Sequence, residues 1–216
     1  MRERDDVTQV TGRLGILYQS WPAVFMTLIS IVNGAIFGYF ALIVGENFQN
    51  FDLARWVMVA ATFLGIVHAW HDAMMTTLVF QKVVRMRESM GIFVYAVVEF
   101  MKVRALGTDI PIYVWFFVIA FALLLGSVMI MVVNSEAKDD KQSQDVLDHS
   151  DRRLRQAYMI SCMFAVLIMG LLILFIRNEF LTVSLSILNI MMAMGLMWLT
   201  SRYWGGIMRY LADKAK

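Results

Sequence analysis

Cysteine, histidine and proline are all scarce in this chain of 216 residues. Its single cysteine, Cys162, lies inside an apolar run, which excludes a disulfide framework and a paired-cysteine metal site. Three histidines are too few for a zinc site within one subunit, since zinc takes about four ligands. The two prolines and 13 glycines leave no room for a flexible linker. The composition therefore predicts one domain over residues 1–216, with no bound metal or cofactor.

Recognisable catalytic and channel motifs are missing as well. The chain has no GxxxxGK[ST] phosphate loop, no GxSxG nucleophile elbow, no HExxH zinc helix and no glycine-rich dinucleotide turn. It also lacks a TVGYG-like selectivity filter and the regularly spaced arginines of a voltage sensor. Its 19 lysines and arginines are scattered among loops rather than gathered on one surface. We expect neither an enzyme nor a nucleic-acid-binding protein.

Apolar residues, by contrast, are abundant: 60% of the chain is hydrophobic and the mean hydropathy is +0.66. An α-helix needs about 20 apolar residues to cross a bilayer. Continuous apolar runs favour helices over a β-barrel, whose strands alternate between apolar and polar residues. The sequence therefore predicts an all-α integral membrane protein, a polytopic helical bundle. Five runs are evident, and they cover residues 21–44, 56–80, 111–133, 157–176 and 180–198.

A sixth and weaker run covers residues 90–106 and is interrupted by Glu99, Lys102 and Arg104. Glu99 and Lys102 are spaced i and i+3, which predicts a local ion pair on a helix. If this run crosses the membrane, the chain has six transmembrane helices. The alternative is five transmembrane helices, with residues 90–106 lying on the membrane surface or re-entering it.

The positive charges favour six crossings. With a cytoplasmic N-terminus, 15 of the 19 lysines and arginines then lie on the cytoplasmic side, in agreement with the positive-inside rule. Lys102 and Arg104 are expected to extend from the helix end toward the membrane surface. Both termini are predicted to be cytoplasmic, including a C-terminal tail at residues 203–216. The four positive residues on the outer side are Arg55, Lys102, Arg104 and Arg177.

The most unusual stretch is HAWHD at positions 68–72, in the middle of an apolar run. On a helix, His68 and Asp72 share a face with Gly65, and His71 lies on its flank. Small residues let another helix approach, so we expect this face to point into protein rather than lipid. Titratable residues within a membrane are typical of ion or proton pathways. The alternative is a packing role, in which these groups only hydrogen-bond to a neighbouring helix.

Two asparagines at similar depth are candidate partners for this face. Asn33 lies midway along the first run, beside the GxxxG pair Gly34 and Gly38, which allows close helix packing. Asn189 lies centrally in the last run. The alternative is that both asparagines only join helices. The candidate pathway residues are therefore His68, His71, Asp72, Asn33 and Asn189.

The longest hydrophilic segment, residues 135–156, is predicted to be a cytoplasmic loop. On a helix, three aspartates at i+3 spacing form an acidic stripe above a basic collar. The collar suits the headgroups of anionic lipids in the bilayer, and the stripe suits a cytosolic protein partner. A solvated helix face is the alternative. The residues concerned are Asp145, Asp148, Asp151, Arg152, Arg153 and Arg155.

Two functions remain open at this point. In the first, a homo-oligomer lines an ion or proton pathway with the HAWHD residues. In the second, the protein is a membrane sensor or scaffold subunit that recruits a cytosolic effector through its charged loops, as in envelope-stress or phage-defence systems. We expect a bacterial inner membrane, because the chain is short and compact.

Overall fold

The computed structural model describes residues 2–80, 86–137 and 179–214, together with Met159, Met163 and Leu167. Within these ranges, side chains are described over 23–75, 92–125 and 183–213. The described part of the chain is helical and contains no strand, in agreement with the predicted all-α fold. Its elements are α1 Arg2–Asn47, a short 3₁₀ helix Phe48–Asn50, α2 Leu53–Phe80, α3 Met86–Arg104, α4 Ile112–Ala137 and α5 Glu179–Lys214.

Among the residues that the structure describes, three stretches of helix are long and apolar enough to cross a membrane: Ala23–Asn50, Leu53–Met75 and Val183–Asp213. The shortest has 23 residues, a length of about 34 Å against a hydrocarbon core of about 30 Å. Large apolar side chains point outward along them, including Ile31 and Met191. Lipid tails accommodate such a surface, whereas water-soluble proteins rarely expose it. The structure is therefore compatible with the predicted helical membrane protein.

α1 and α2 form one helical hairpin and α3 and α4 form another, and the two hairpins lie side by side. Two contacts pair α1 with α3 in the same order along both helices, Asn33 with Tyr95 and Tyr39 with Phe100. A third contact follows in the same order, between Asn47 at the end of α1 and Thr108 just after α3. α1 and α3 are therefore parallel. The connections at residues 48–52 and 105–111 lie at the same end of the bundle, which we call the hairpin end.

Arg55, near the start of α2, joins the two hairpins. It is only 7% exposed, and Asp52 caps the helix by accepting its backbone N–H at 2.8 Å. The carbonyls after the end of α3 have no helical donors, so the arginine supplies them. Its guanidinium donates to the carbonyl oxygens of Leu106 at 2.8 Å, Gly107 at 2.5 Å and Ile110 at 2.6 Å.

The half of the bundle next to the hairpin end is filled by what we call the apolar core. Trp115 and Phe116 of α4 are fully buried in it and pack edge to face, with 5.0 Å between ring centroids. Trp115 Nε1 donates to Thr62 Oγ1 on α2 at 2.9 Å, so the indole N–H is paired. Other buried members are Ile36, Ile43, Met58, Val59, Ala61, Ile66, Val103, Leu106, Ile119 and Leu185.

α5 lies alongside α2 and runs in the same direction. Close to the start of α5, Leu185 packs into the apolar core. Farther along, Trp204 Nε1 donates to Asp72 Oδ1 at 2.8 Å, and Met75 packs against Trp204 and Ile207. Both helices therefore lead away from the hairpin end.

The segment predicted as a C-terminal tail, residues 203–216, is not separate from the bundle. α5 continues through it to Lys214, and both Trp204 and Ile207 are buried. The sequence reads as a tail because aromatic and basic residues alternate there. The structure instead uses the aromatic residues as the contact with α2.

Replacing Arg55 with lysine is expected to destabilise the bundle. A lysine keeps the charge but cannot donate to three carbonyls in the fork arrangement of a guanidinium. Each buried carbonyl that loses its donor costs about 1–3 kcal/mol. Thermal unfolding in detergent, followed by helical circular dichroism, should give a clearly lower melting temperature. Arg104→Lys is the matched control because Arg104 is exposed; equal melting temperatures for the two variants would contradict the role of Arg55.

Candidate functional site

The polar side chains within the bundle gather beside the apolar core, on the side away from the hairpin end. They belong to three helices that pack against one another. We call them the polar cluster, which consists of Asn33 on α1, His68 and Asp72 on α2, and Tyr95, Glu99 and Lys102 on α3. α2 and α3 are antiparallel, and the side chain of Lys102, near the end of α3, reaches Gly65 of α2.

Glu99 and Lys102 form a buried ion pair at the centre of this cluster. Lys102 Nζ lies 2.5 Å from Glu99 Oε1, and the two residues are only 4% and 3% exposed. The predicted i, i+3 ion pair is confirmed, but the prediction that Lys102 extends to the membrane surface is wrong. Its ammonium turns toward α2, where a Cβ at Gly65 would lie 3.5 Å from Nζ. The missing side chain of Gly65 therefore leaves the space that the lysine occupies.

His68 lies one turn from Gly65, between the ion pair and Asp72 along α2. Asp72 follows it by four residues, so the two side chains share a face of α2. Its Nε2 is buried, and no described residue forms a hydrogen bond with it. Asp72 is half-buried and accepts from the indole of Trp204, whereas His71 is exposed.

Asn33 and Tyr95 connect the ion pair to α1. The Tyr95 hydroxyl donates to Asn33 Oδ1 at 2.8 Å, and its ring lies one turn before Glu99 on the same face of α3. Two complementary atoms have no partner within the described ranges: the donor Asn33 Nδ2 and the acceptor Glu99 Oε2. Each unpaired buried polar group costs about 1–3 kcal/mol. The polar cluster thus has unfilled hydrogen-bonding capacity at its centre.

Asn189, another predicted pathway residue, is buried but lies apart from His68. Trp204 on α5 bonds to Asp72 on α2, so these two residues lie at about the same height in the bundle. Asn189 precedes Trp204 by 15 residues (204 − 189), which is about 22 Å of helix rise. It therefore lies level with the apolar core.

The glycine pair on α1 faces away from the bundle. A Cβ at Gly34 or Gly38 would meet no atom within 4 Å, and the same is true of Gly45. No described helix therefore packs closely against α1 at these glycines. The predicted partner-binding residues of the charged loop, Asp145, Asp148, Asp151, Arg152, Arg153 and Arg155, lie outside the described residues.

An exposed ion pair at the hairpin end contrasts with the buried one. The Arg104 guanidinium donates two hydrogen bonds to the Asp109 carboxylate and so lowers the pKa of Asp109. Because the pKa of Asp109 is lowered, the pair stabilises the folded protein at pH values above the usual titration range of aspartate. This stabilisation is lost as the pH falls and the carboxylate becomes protonated. Water screens this pair, so its contribution is small. Of the two pairs, only Glu99–Lys102 is shielded from water.

The chemistry of the polar cluster is that of proton exchange. A carboxylate, an ammonium, an imidazole and a phenol all donate or accept protons. Among the described residues, no group of three or more histidine, cysteine, aspartate or glutamate side chains is arranged to hold a metal ion. The Lys102 ammonium also repels a cation that approaches Glu99. The arrangement therefore suits protons better than metal ions.

Two residues in or beside the polar cluster, Tyr95 and Trp204, are not predicted from the sequence. Tyr95 carries a weak signal, because it precedes Glu99 by four residues and so shares its face. Trp204 carries none, since its hydrogen bond to Asp72 spans 132 residues of chain. Aromatic residues make up 13% of the chain, so an individual tyrosine or tryptophan does not stand out.

Comparison with known proteins adds no relative: no family model, curated protein or solved structure matches the chain. The polar cluster is therefore the main basis for a functional proposal.

Removing Lys102 alone should destabilise the protein more than removing both members of the ion pair. Lys102→Met leaves a buried, unpaired carboxylate at Glu99, which costs about 3–5 kcal/mol. The double variant Glu99→Gln/Lys102→Met removes both charges and should recover most of that loss. Unfolding of each purified variant in detergent measures the difference. Arg104→Met, which breaks the exposed pair, should change stability little. A double variant no more stable than Lys102→Met would contradict the buried pair.

Proposed function

We propose that the protein is a six-helix protein of the bacterial inner membrane that carries protons through its polar cluster and acts as a homo-oligomer. One observation carries the proposal. The buried Glu99–Lys102 pair packs against Gly65, one turn from His68, and unpaired polar atoms flank it on both sides. Stability alone does not require charges at this position, because replacing a buried ion pair with well-packed apolar residues is often neutral or stabilising.

The direction of α5 supports six crossings. α4 leads away from the hairpin end, yet α5 starts beside the apolar core next to that end. The chain between them has to return, and it contains the apolar run 157–176, which the sequence predicts to cross once. With α3 lying along α1 inside the bundle, the total is six. Five crossings would make α5 antiparallel to α2.

The positive charges then orient the bundle. In the six-helix arrangement, Arg55 and Arg104 belong to the hairpin end, and most other lysines and arginines belong to the opposite side. The positive-inside rule makes that opposite side cytoplasmic. His71 and Asp72 lie toward it, so they form the cytoplasmic entrance of the proposed pathway.

From this entrance the polar cluster offers a sequence of proton carriers. Asp72 is half-buried, and His68 follows it after one helical turn. His68 lies one turn from Gly65, where the Lys102 ammonium packs, and the ion-pair partner Glu99 shares a face with Tyr95. Protons need only such a chain of donors and acceptors, whereas a metal ion needs several ligands at once.

The apolar core favours a second function, that of a proton-responsive sensor. Between the polar cluster and the hairpin end, the bundle is filled by Met58, Trp115 and Phe116, all fully buried. A protein that takes up protons from the cytoplasmic side without passing them on would report pH rather than conduct. Its charged loop, residues 135–156, would then recruit the cytosolic effector.

Proton flux into proteoliposomes tests the pathway. With the membrane potential clamped, vesicles containing the wild-type protein should lose an imposed pH gradient faster than empty vesicles. Asp72→Asn and His68→Gln each remove a proton carrier and should slow this flux by about tenfold or more. Asp72→Asn retains an oxygen for the Trp204 indole, so the contact between α2 and α5 is kept.

Asp109→Asn is the control for the flux experiment, since it removes an exposed carboxylate outside the polar cluster. Unchanged flux in both cluster variants would contradict the pathway through His68 and Asp72. Wild-type vesicles as tight as empty ones would contradict conduction altogether and leave the sensor as the better function.

The open glycines on α1 supply the surface for self-association. Gly34, Gly38 and Gly45 recur at i+4 and i+7 spacing and have no neighbour in the described bundle. In lipid, helices associate through close packing at such small residues rather than through the hydrophobic effect. A second copy of the chain is the partner that the proposal places there.

Gly38→Leu should therefore abolish the oligomer, because a bulky side chain separates the helix backbones. Crosslinking or single-molecule photobleaching in bilayers measures the number of subunits. Gly195→Leu is the matched control, since Gly195 on α5 is equally open but lies outside the α1 stripe. An oligomer that survives Gly38→Leu would rule out this interface.

A further inference from the structure

The contact between α2 and α5 brings two further polar residues to the same level. Trp204 donates to Asp72, and the two helices run in the same direction at this point. Four residues earlier on each helix lie Thr200 and His68. Because a step of four residues is about one turn, Thr200 and His68 lie at about the same level, one turn closer to the hairpin end than the Trp204–Asp72 bond.

Both residues have a buried polar atom without a partner. Thr200 is 5% exposed, and neither its Oγ1 nor His68 Nε2 is hydrogen-bonded to any residue that the structure describes. The hydroxyl and the ring are thus at the same level but not in hydrogen-bonding contact. A buried site with two polar partners retains water, whereas a purely apolar cavity stays dry.

We propose that one water molecule binds between His68 Nε2 and Thr200 Oγ1 at the α2–α5 interface. Water donates and accepts, and so do a hydroxyl and a neutral imidazole, so one molecule satisfies both groups in either tautomer of His68. Thr200 is then a positioning residue that holds this water against the ring.

The role of this water rests on the proposed proton pathway. On α2, His68 shares a face with Asp72 and lies one turn from Gly65, where the Lys102 ammonium packs. The water gives its ring a second donor and acceptor on the side of α5. A proton that reaches His68 from Asp72 then has an exchange partner at Nε2, which the protein side chains alone do not provide.

Selective labelling of histidine with ¹⁵N tests the water site directly, because the chain has only three histidines. In lipid bilayers, magnetisation transferred from water to the His68 ring nitrogen should build up rapidly in the wild-type protein. Thr200→Val has the same shape but no hydroxyl and should slow this build-up several-fold. Thr200→Ser keeps the hydroxyl and should restore it. His71, which lies outside the proposed water site, provides an internal reference signal in every variant.

A rapid build-up in Thr200→Val, or a slow one in the wild-type protein, would overturn the water site. Thr27→Val is the control, since it removes an exposed hydroxyl that bonds only within its own helix.

Thr200→Val should also lower the proton flux by about tenfold, as expected for the loss of one buried hydrogen-bond bridge. If wild-type vesicles show no proton flux, but magnetisation still builds up faster in the wild-type protein than in Thr200→Val, only the proton pathway is overturned. Normal flux in Thr200→Val despite a lost water contact would overturn the role of the water.

Discussion

The bundle depends on the burial of one ion pair, Glu99 with Lys102. A single charge near the centre of a membrane costs about 2.5–3.5 kcal/mol on insertion scales, so neither residue is tolerated there alone. Together they are neutral, and the lysine fits because Gly65 has no side chain. This requirement fixes how closely α3 approaches α2 and which face of α3 points inward. The polar cluster is built around that contact.

The same requirement explains why α3, the least regular of the apolar runs, lies inside the bundle. Its polar residues Tyr95, Glu99 and Lys102 face α1 and α2. Its opposite side carries Phe93, Val97 and Met101, which are exposed and four residues apart. Such a helix is amphipathic in the sense that suits lipid: apolar outside and polar inside. The mean hydropathy of α3 is low because the value averages over its apolar outer face and its polar inner face.

Local features of the site could be predicted from the sequence, but contacts across the bundle could not. The spacing of Glu99 and Lys102 predicts their ion pair, and the small residue Gly65 predicts a close neighbour. That the neighbour is the Lys102 ammonium depends on the relative height of α2 and α3, which no local pattern records. Asn189 shows the same limit. It is central in the apolar run 180–198 but lies near the start of α5, because the helix continues to Lys214.

The two halves of the bundle differ in how readily they can move. At the hairpin end, densely packed aromatic side chains and three carbonyls held by Arg55 oppose any opening. The polar half has unpaired atoms that water can satisfy. In the proposed pathway, a proton that reached Glu99 from the cytoplasmic side would therefore meet a closed core. The glycine stripe on α1 begins next to Asn33 and extends to Gly45 near the hairpin end. In the proposed homo-oligomer, an interface between subunits along this stripe would therefore lie alongside the apolar core.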